Sequence, residues 1–291
     1  MSVDTVCEFP DVRWDNYGPT RGVESTLEEG RVLSFPQLKF ELAEVEHRFL
    51  DDRWVAENTK NITLRWPERR LRGTVGDARN IADLRTLMAR YAEQSEALAV
   101  RLFPHYSGHL RRGDTLLHPI EIAGRLAHWR QDDSRMHVDA SASHPTRGAR
   151  VLRVFSNVNP RGKPREWRVG ESFAAHVERY LPSITRPLPG SSWLLNAVGA
   201  THVRRTAYDH VMLQLHDHAM ADLAFQHDSA QTRVNFAPGT TWMAYSDQVV
   251  HAEMGGQHVL EQIFHLDVAH QAQPDTSPLH TLERLLKRSL R

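Results

Sequence analysis

Short apolar runs broken by turn residues open the chain, as in "GRVLSFPQLKF" (30–40). "ELAEVEHRFLDDRWVAE" (41–57) follows with helical spacing. A stronger period comes next: Ile81, Leu84, Leu87, Met88, Tyr91, Leu98 and Leu102 recur at three- and four-residue steps with no proline between them. The spacing predicts a long helix over 77–103 with one face on a sheet. From about 115 the texture turns β. "IAGRLAHWR", "SRMHVDA", "ARVLRVFSNVN", "REWRVGE", "TRVNFAP", "TTWMAYS" and "QHVLEQIFHLDV" are short runs bounded by Gly, Pro, Asp and Ser, the pattern of an antiparallel sandwich or barrel. A helical stretch, 171–228, interrupts them. The tail "SPLHTLERLLKRSLR" predicts a helix with Ser277 as N-cap, Pro278 in the first turn, and Leu282, Leu285 and Leu286 on one face. The expected fold is mainly β with α additions, read as one domain over 1–291. N-terminal α/β support covers 1–115, the β core 116–170 and 229–269, the insertion 171–228 and the closing helix 277–291.

Composition narrows the function. Lys+Arg and Asp+Glu balance at 36 each, so bulk charge does not suggest nucleic acid. A single cysteine, Cys7, excludes an intramolecular disulfide and fits a reducing, cytoplasmic compartment. No basic-then-apolar segment begins the chain, so no signal peptide is expected. Nowhere do about 18 apolar residues run together, so no transmembrane segment is expected. The unusual count is 18 histidines.

Extended chain alternates faces, so His137 and Asp139 in "RMHVDA" project to one side. An imidazole and a carboxylate there supply two members of a 2-His-1-carboxylate triad, the geometry that holds non-haem Fe(II) with positions left open. With so many His and Asp residues, chance alone yields about one H-x-D. A second copy, His265 and Asp267, lies too near the C-terminus for a barrel's strands to follow. "LQLHDHAM" also tempts, but His216 and His218 stand two apart in an expected helix and point away from each other.

After His137 and Asp139 come a turn, a β-branched strand, further strands, and "NFAPGTTWMAYSDQVVHAEMGGQHVLEQIFHLD". This order resembles the second half of the double-stranded β-helix (jelly-roll, cupin-like) of Fe(II)/2-oxoglutarate oxygenases, whose distal histidine follows "F/Y-x-S/D-x-x-x-H". The resemblance makes His251 the third metal ligand, and implies Fe(II), 2-oxoglutarate as cosubstrate and O2. Many of these enzymes carry an arginine for the 2-oxoglutarate 5-carboxylate on the strand after the distal histidine; "HAEMGGQHVLEQIFHL" has no Arg or Lys. JmjC-like and asparaginyl-hydroxylase-like members hold it on the strand after H-x-D/E. Here that strand offers Arg153, mid-strand on the face of Val151, Phe155 and Asn157, or Arg150 on the face of Leu152 and Val154. Arg153 is favoured, with Arg150 a solvated rim residue. The alternative for Arg153 is pairing with an internal carboxylate.

"HVDASASHPTRGARVLRVFSNVNPRGKPREWRVGESF", "LPGSSWLLNAVGATHVRRTAYDHVMLQLHDHAMADLAFQ" and "SDQVVHAEMGGQHVLEQIFHLDV" are similar to the family of 3-hydroxylases of 3-deoxy-manno-octulosonic acid (Kdo), as is the chain from "EEGRVLSFPQLKF" to its tail. The resemblance implies hydroxylation at C3 of Kdo, giving Ko, on Kdo-bearing lipid A or its precursor at the cytoplasmic face of the inner membrane. Succinate and CO2 would be released. For such an anionic sugar, Arg165, Trp167 and Arg168 in "RGKPREWRVGE" and Arg205 in "HVRRTAYDH" form a candidate cradle. The alternative for each arginine is an ordinary loop charge, the commonest fate of an exposed Arg. Arg284, Lys287, Arg288 and Arg291 on the tail helix suit peripheral contact with an anionic membrane, unless its leucines simply pack on the domain. The competing classes are an oxygenase for another small molecule or a protein side chain, and a non-catalytic cupin-like binder.

Overall fold

The computed structural model describes residues 5–15, 22–125, 127–186, 196, 197, 199, 201 and 203–291. Much of "LPGSSWLLNAVGATH" thus lies outside the described residues. Eleven strands are present among them: β1 (Val6–Glu8), β2 (Val32–Phe35), β3 (Ile62–Arg65), β4 (Arg70–Arg72), β5 (Arg111–His118), β6 (Arg150–Asn157), β7 (Arg165–Val169), β8 (Thr232–Phe236), β9 (Thr241–Tyr245), β10 (His251–Gly255) and β11 (Val259–Leu266). One sheet runs β1-β2-β9-β6-β11-β5-β3-β4 and the other β10-β7-β8, with all pairings antiparallel except β1–β2. The residues 136–139 extend the small sheet through a bridge from His137 to His251. The fold is mostly sheet with helices, as expected.

Two faces of the large sheet do different work. Phe155 on β6 and Trp242 on β9 turn inward and pack with Trp167, Val169 and Phe236 of the small sheet. On the reverse face, Leu152, Val154, Met243 and Phe264 pack beneath the N-terminal segments, among them α1 (Val23–Glu28), and the end of α2 (Ala78–Leu102). That helix has the predicted length, and Asp77 caps it by accepting from the Asn80 amide.

Three more helices, α3 (Phe173–Tyr180), α4 (Ala207–Ala221) and α5 (Leu223–Asp228), lie within the interrupting stretch. The closing helix α6 (Pro278–Leu286) has Ser277 as its N-cap, accepting from the His280 amide at 3.3 Å. Leu279 and Leu282 are buried among the residues of α3 and α4, with Leu285 and Leu286 against them. The apolar face of α6 is therefore spent on the domain, which removes it as a membrane-inserting surface and leaves only charge for such contact.

Three local expectations differ from the structure. Residues 41–57 form two 3-10 turns, Glu44–Phe49 and Asp52–Trp54, because Asp51 accepts from the Arg53 amide and starts a new turn. The described residues of "IAGRLAHWR" form no strand: the Glu121 side chain accepts from the Ile122 amide, and Gly124 adopts φ 77° beside the Arg125-to-Ile122 turn. "SRMHVDA" is not a strand of its own but makes one isolated bridge, from His137 to His251 at the start of β10.

Arg150 corrects the rim assignment. It is 0% exposed, donates to Asp247 at 2.9 Å and Gln248 at 2.6 Å, and lies 3.7 Å from the centre of the Tyr245 ring. Its strand face is the one covered by the outer layer, so a cation there must be paired. Arg150→Met leaves the Asp247 carboxylate buried without its partner. Chemical denaturation should register a loss of about 3–5 kcal/mol, and a change within about 0.5 kcal/mol, the surface-substitution range, would contradict this role.

Candidate metal and substrate site

Residues 136–139 are held beside β10 by reciprocal bonds, His137 N to His251 O and His251 N to His137 O, both 2.9 Å. Asp139 N donates to Ser246 O at 2.8 Å. Met136 and Val138 on the segment, and Val250 and Ala252 flanking His251, are buried in the cluster formed with α3, α4 and α6. The pleat then turns His137, Asp139 and His251 to the opposite, interior side. One potential ligand atom from each lies within 4.8 Å of the others, the one such group among the described residues. The His265/Asp267 copy does not belong to it. Asp267 sits past the end of β11, capping a 3-10 turn and pairing with Arg291.

The donor set suits a borderline metal such as ferrous iron. His137 Nδ1 lies 2.7 Å from Arg135 O, and His251 Nδ1 lies 2.8 Å from Val249 O. A carbonyl only accepts, so each Nδ1 carries a proton and Nε2 is the nitrogen left for a metal. Burial would raise the Asp139 carboxyl, but the Arg153 charge, the His137 hydrogen bond and the His251 and His137 charges together outweigh it. The group is held well below the carboxylate range. Two imidazoles and one carboxylate, gathered on one side, match the facial arrangement.

Arg153 is on the interior face of β6. Its guanidinium lies 2.5 Å from Asp139 and 2.6 Å from Glu261, and Glu261 is 2.7 Å from His118 Nε2. The alternative read from the sequence, pairing with internal carboxylates, is thus present, on the strand face turned toward Asp139. His216 was passed over in the sequence. It and His218 do diverge, His218 stacking on Tyr180 and His216 setting its ring 5.5 Å from that of His137, near edge-on. Burial, then the His137 charge, lowers its pKa, so it stands as a neutral imidazole beside the triad. Helical spacing carries no signal for this, since α4 meets the segment only in the tertiary fold.

The exposed cradle does not form as expected. Arg165, Trp167 and Val169 alternate inward on β7. Trp167 is 1% exposed and stacks on His251 at 5.1 Å. Arg165 is buried, 2.5 Å from Glu253 and donating to Gly256 O at 2.8 Å. These two are interior groups behind the triad. Arg168, on the other face, donates to Ser134 O at 2.9 Å. Arg205 donates to Ala142 O at 3.2 Å, in the loop after Asp139.

A cavity of about 420 Å³ opens beside Asp139 and Arg153. Its walls come from the loop after Asp139, from Ile263 and His265 of β11, and from Arg65, Trp66 and Arg112. None of these last three carries a metal or triad motif, and only the three-dimensional arrangement brings them together.

The family model for 3-deoxy-D-manno-oct-2-ulosonic acid (Kdo) hydroxylase matches residues 13–289. Among solved structures, the chain is similar to the Kdo hydroxylase KdoO, a non-heme Fe(II) alphaketoglutarate dependent dioxygenase, in complex with cobalt(II). That pair is 42% identical, covers 98% of this chain and 97% of the other, and has a TM-score of 0.94. The same enzyme in complex with alphaketoglutarate and Fe(III), and with succinate and Fe(III), aligns at a TM-score of 0.93, with the same identity and coverage. No curated protein sequence matches the chain.

Asp139→Ala should lower Co(II) affinity, followed by its visible absorption, by at least about 100-fold, because even the outer partners of metal ligands are worth about 10–100-fold. Unchanged Co(II) binding would refute the triad.

Proposed function

The chain belongs to the Kdo hydroxylase family and is a non-haem Fe(II)/2-oxoglutarate-dependent dioxygenase that hydroxylates Kdo; from that premise we propose that it acts at C3 of Kdo on lipid A or its precursor, with His137, Asp139 and His251 as iron ligands. The observation that carries the ligand assignment is the convergence of two Nε2 atoms and one carboxylate within 4.8 Å on the barrel's interior. We read 1–291 as one oxygenase domain.

Bound there, iron and 2-oxoglutarate supply the oxygen activation, with succinate and CO2 as co-products. The chain's part is geometric and electrostatic. Arg135 O and Val249 O fix the two imidazole tautomers. Trp167 backs the His251 ring, limiting its rotation. Asp139 stays ionised because Arg153 lies against it. We assign Arg153 to the 2-oxoglutarate 5-carboxylate: its planar fork matches a carboxylate bidentately, and Glu261, braced by His118, aims it from below. The buried aromatic cluster around Phe155 and Trp242 keeps water from that side.

Contact with the cytoplasmic face of the inner membrane is part of the same reading. No helix among the described residues is long and apolar enough to cross a bilayer. Support comes from Arg284 and Lys287, exposed on and just after α6, which suit attraction to anionic headgroups.

Anaerobic titration should give a visible charge-transfer band only when Fe(II) and 2-oxoglutarate are both present. Succinate release should then be stimulated by Kdo glycolipid and not by peptides. A band with no stimulated turnover would favour a binder over an enzyme. Arg153→Met should raise the KM for 2-oxoglutarate by about 10–100-fold, the worth of a charge-assisted hydrogen bond of about 1.5–3 kcal/mol. An unchanged KM would move the assignment to another cation.

A further inference from the structure

We propose that Trp66, at the end of the β3–β4 hairpin, is the platform on which the pyranose ring of the substrate lies, and that the arginines beyond it receive the phosphorylated remainder. This deepens the Kdo-glycolipid reading and rests on it. Trp66 is the only aromatic among the exposed large hydrophobic side chains of the described residues, at 39% exposure. It stands on the wall of the same cavity that contains Asp139 and Arg153. An exposed indole has no stability reason to be there, since burying such a ring is favourable.

The ring is nevertheless held in place. Asp114 accepts from the Trp66 backbone amide at 2.9 Å and from Arg65 at 2.6 Å. The Arg112 guanidinium lies 4.9 Å from the indole centre and is itself tied to Glu96. One face is thus covered by a cation that is anchored from behind, and little ordering remains to be done when a ligand arrives. A pyranose presents a flat array of C–H bonds that suits an indole, and a sugar acid adds a carboxylate that suits a neighbouring guanidinium.

Beyond Trp66 the surface stays basic. A small, partly apolar cavity lined by Trp66, Arg69 and Arg112 shares Arg69 with a wider concavity that includes Arg70 and Arg85, with Arg69 paired to Glu93 and Arg90 to Glu46. A ligand anchored at the metal and crossing Trp66 would set its next anionic groups along this track, and phosphate is the group an arginine cluster holds best.

The test is steady-state kinetics with Kdo glycolipid and, separately, 2-oxoglutarate. Trp66→Leu keeps the apolar bulk but removes the ring. It should raise the glycolipid KM by about tenfold, equivalent to ~1.4 kcal/mol, while the anaerobic Fe(II)/2-oxoglutarate band titrates as in the wild type and reports a folded centre. Trp66→Phe should recover part of the loss. Arg70→Ser should raise KM for the phosphorylated glycolipid and leave it unchanged for the dephosphorylated one. A glycolipid KM within twofold for Trp66→Leu, or a KM rise matched by lost 2-oxoglutarate binding, overturns the platform while the function stands. A wild type that forms the band but hydroxylates no Kdo glycolipid overturns the substrate reading, and the platform with it.

Discussion

Burial of four apolar side chains decides where the chemistry goes. Met136, Val138, Val250 and Ala252 are sealed against the interrupting helices and α6. Each larger one is worth about 1.5–3 kcal/mol relative to exposure. Because the pleat has a period of two, sealing these positions on one side sends His137, Asp139 and His251 to the other. A slip of one residue would bury the ligands under the helices and expose the methyl groups. The α additions therefore act as the clamp that keeps the triad's register.

Inside the barrel the next constraint is charge. Asp139, Arg153, Glu261 and His118 form a continuous line. Within it each group's burial is offset by a neighbour of opposite sign or a hydrogen-bond partner. The line places the Arg153 cation between Asp139 and Glu261, directly beside the His137, Asp139 and His251 group. Arg165 with Glu253 and Arg150 with Asp247 repeat the pairing on the small sheet and on the outer face of the large one. Arg150 and Arg153, three apart on one strand, thus have different partners through the direction of their strand faces.

The insertion contributes more than cover. It delivers His216 beside His137, so the site has four imidazole and carboxylate groups drawn from three separate parts of the chain. On the opposite flank, the β3–β4 hairpin brings Trp66 to the cavity that holds Asp139. The metal end of the site is built by the core strands, and its outer wall by N-terminal elements that serve otherwise as support.

The local pattern of residues determined several features unaided. Helix α2 follows from its apolar period, α6 from Ser277 and Pro278, and most core strands from β-branched runs between turn residues. Extended geometry put His137 and Asp139 on a common side and Arg153 on the face of Phe155, because alternation is a property of the backbone alone. Which face is interior depends on what packs against it, and that only the tertiary structure decided. So Arg150 and Trp167, both expected near solvent, are buried, the first beneath the outer layer and the second behind His251. Trp66 gave no signal in sequence and His216 was set aside on its helical spacing, because each meets the site through residues far away in the chain. Spacing within one element specifies directions, whereas contacts between elements are set by how the sheets and helices stack.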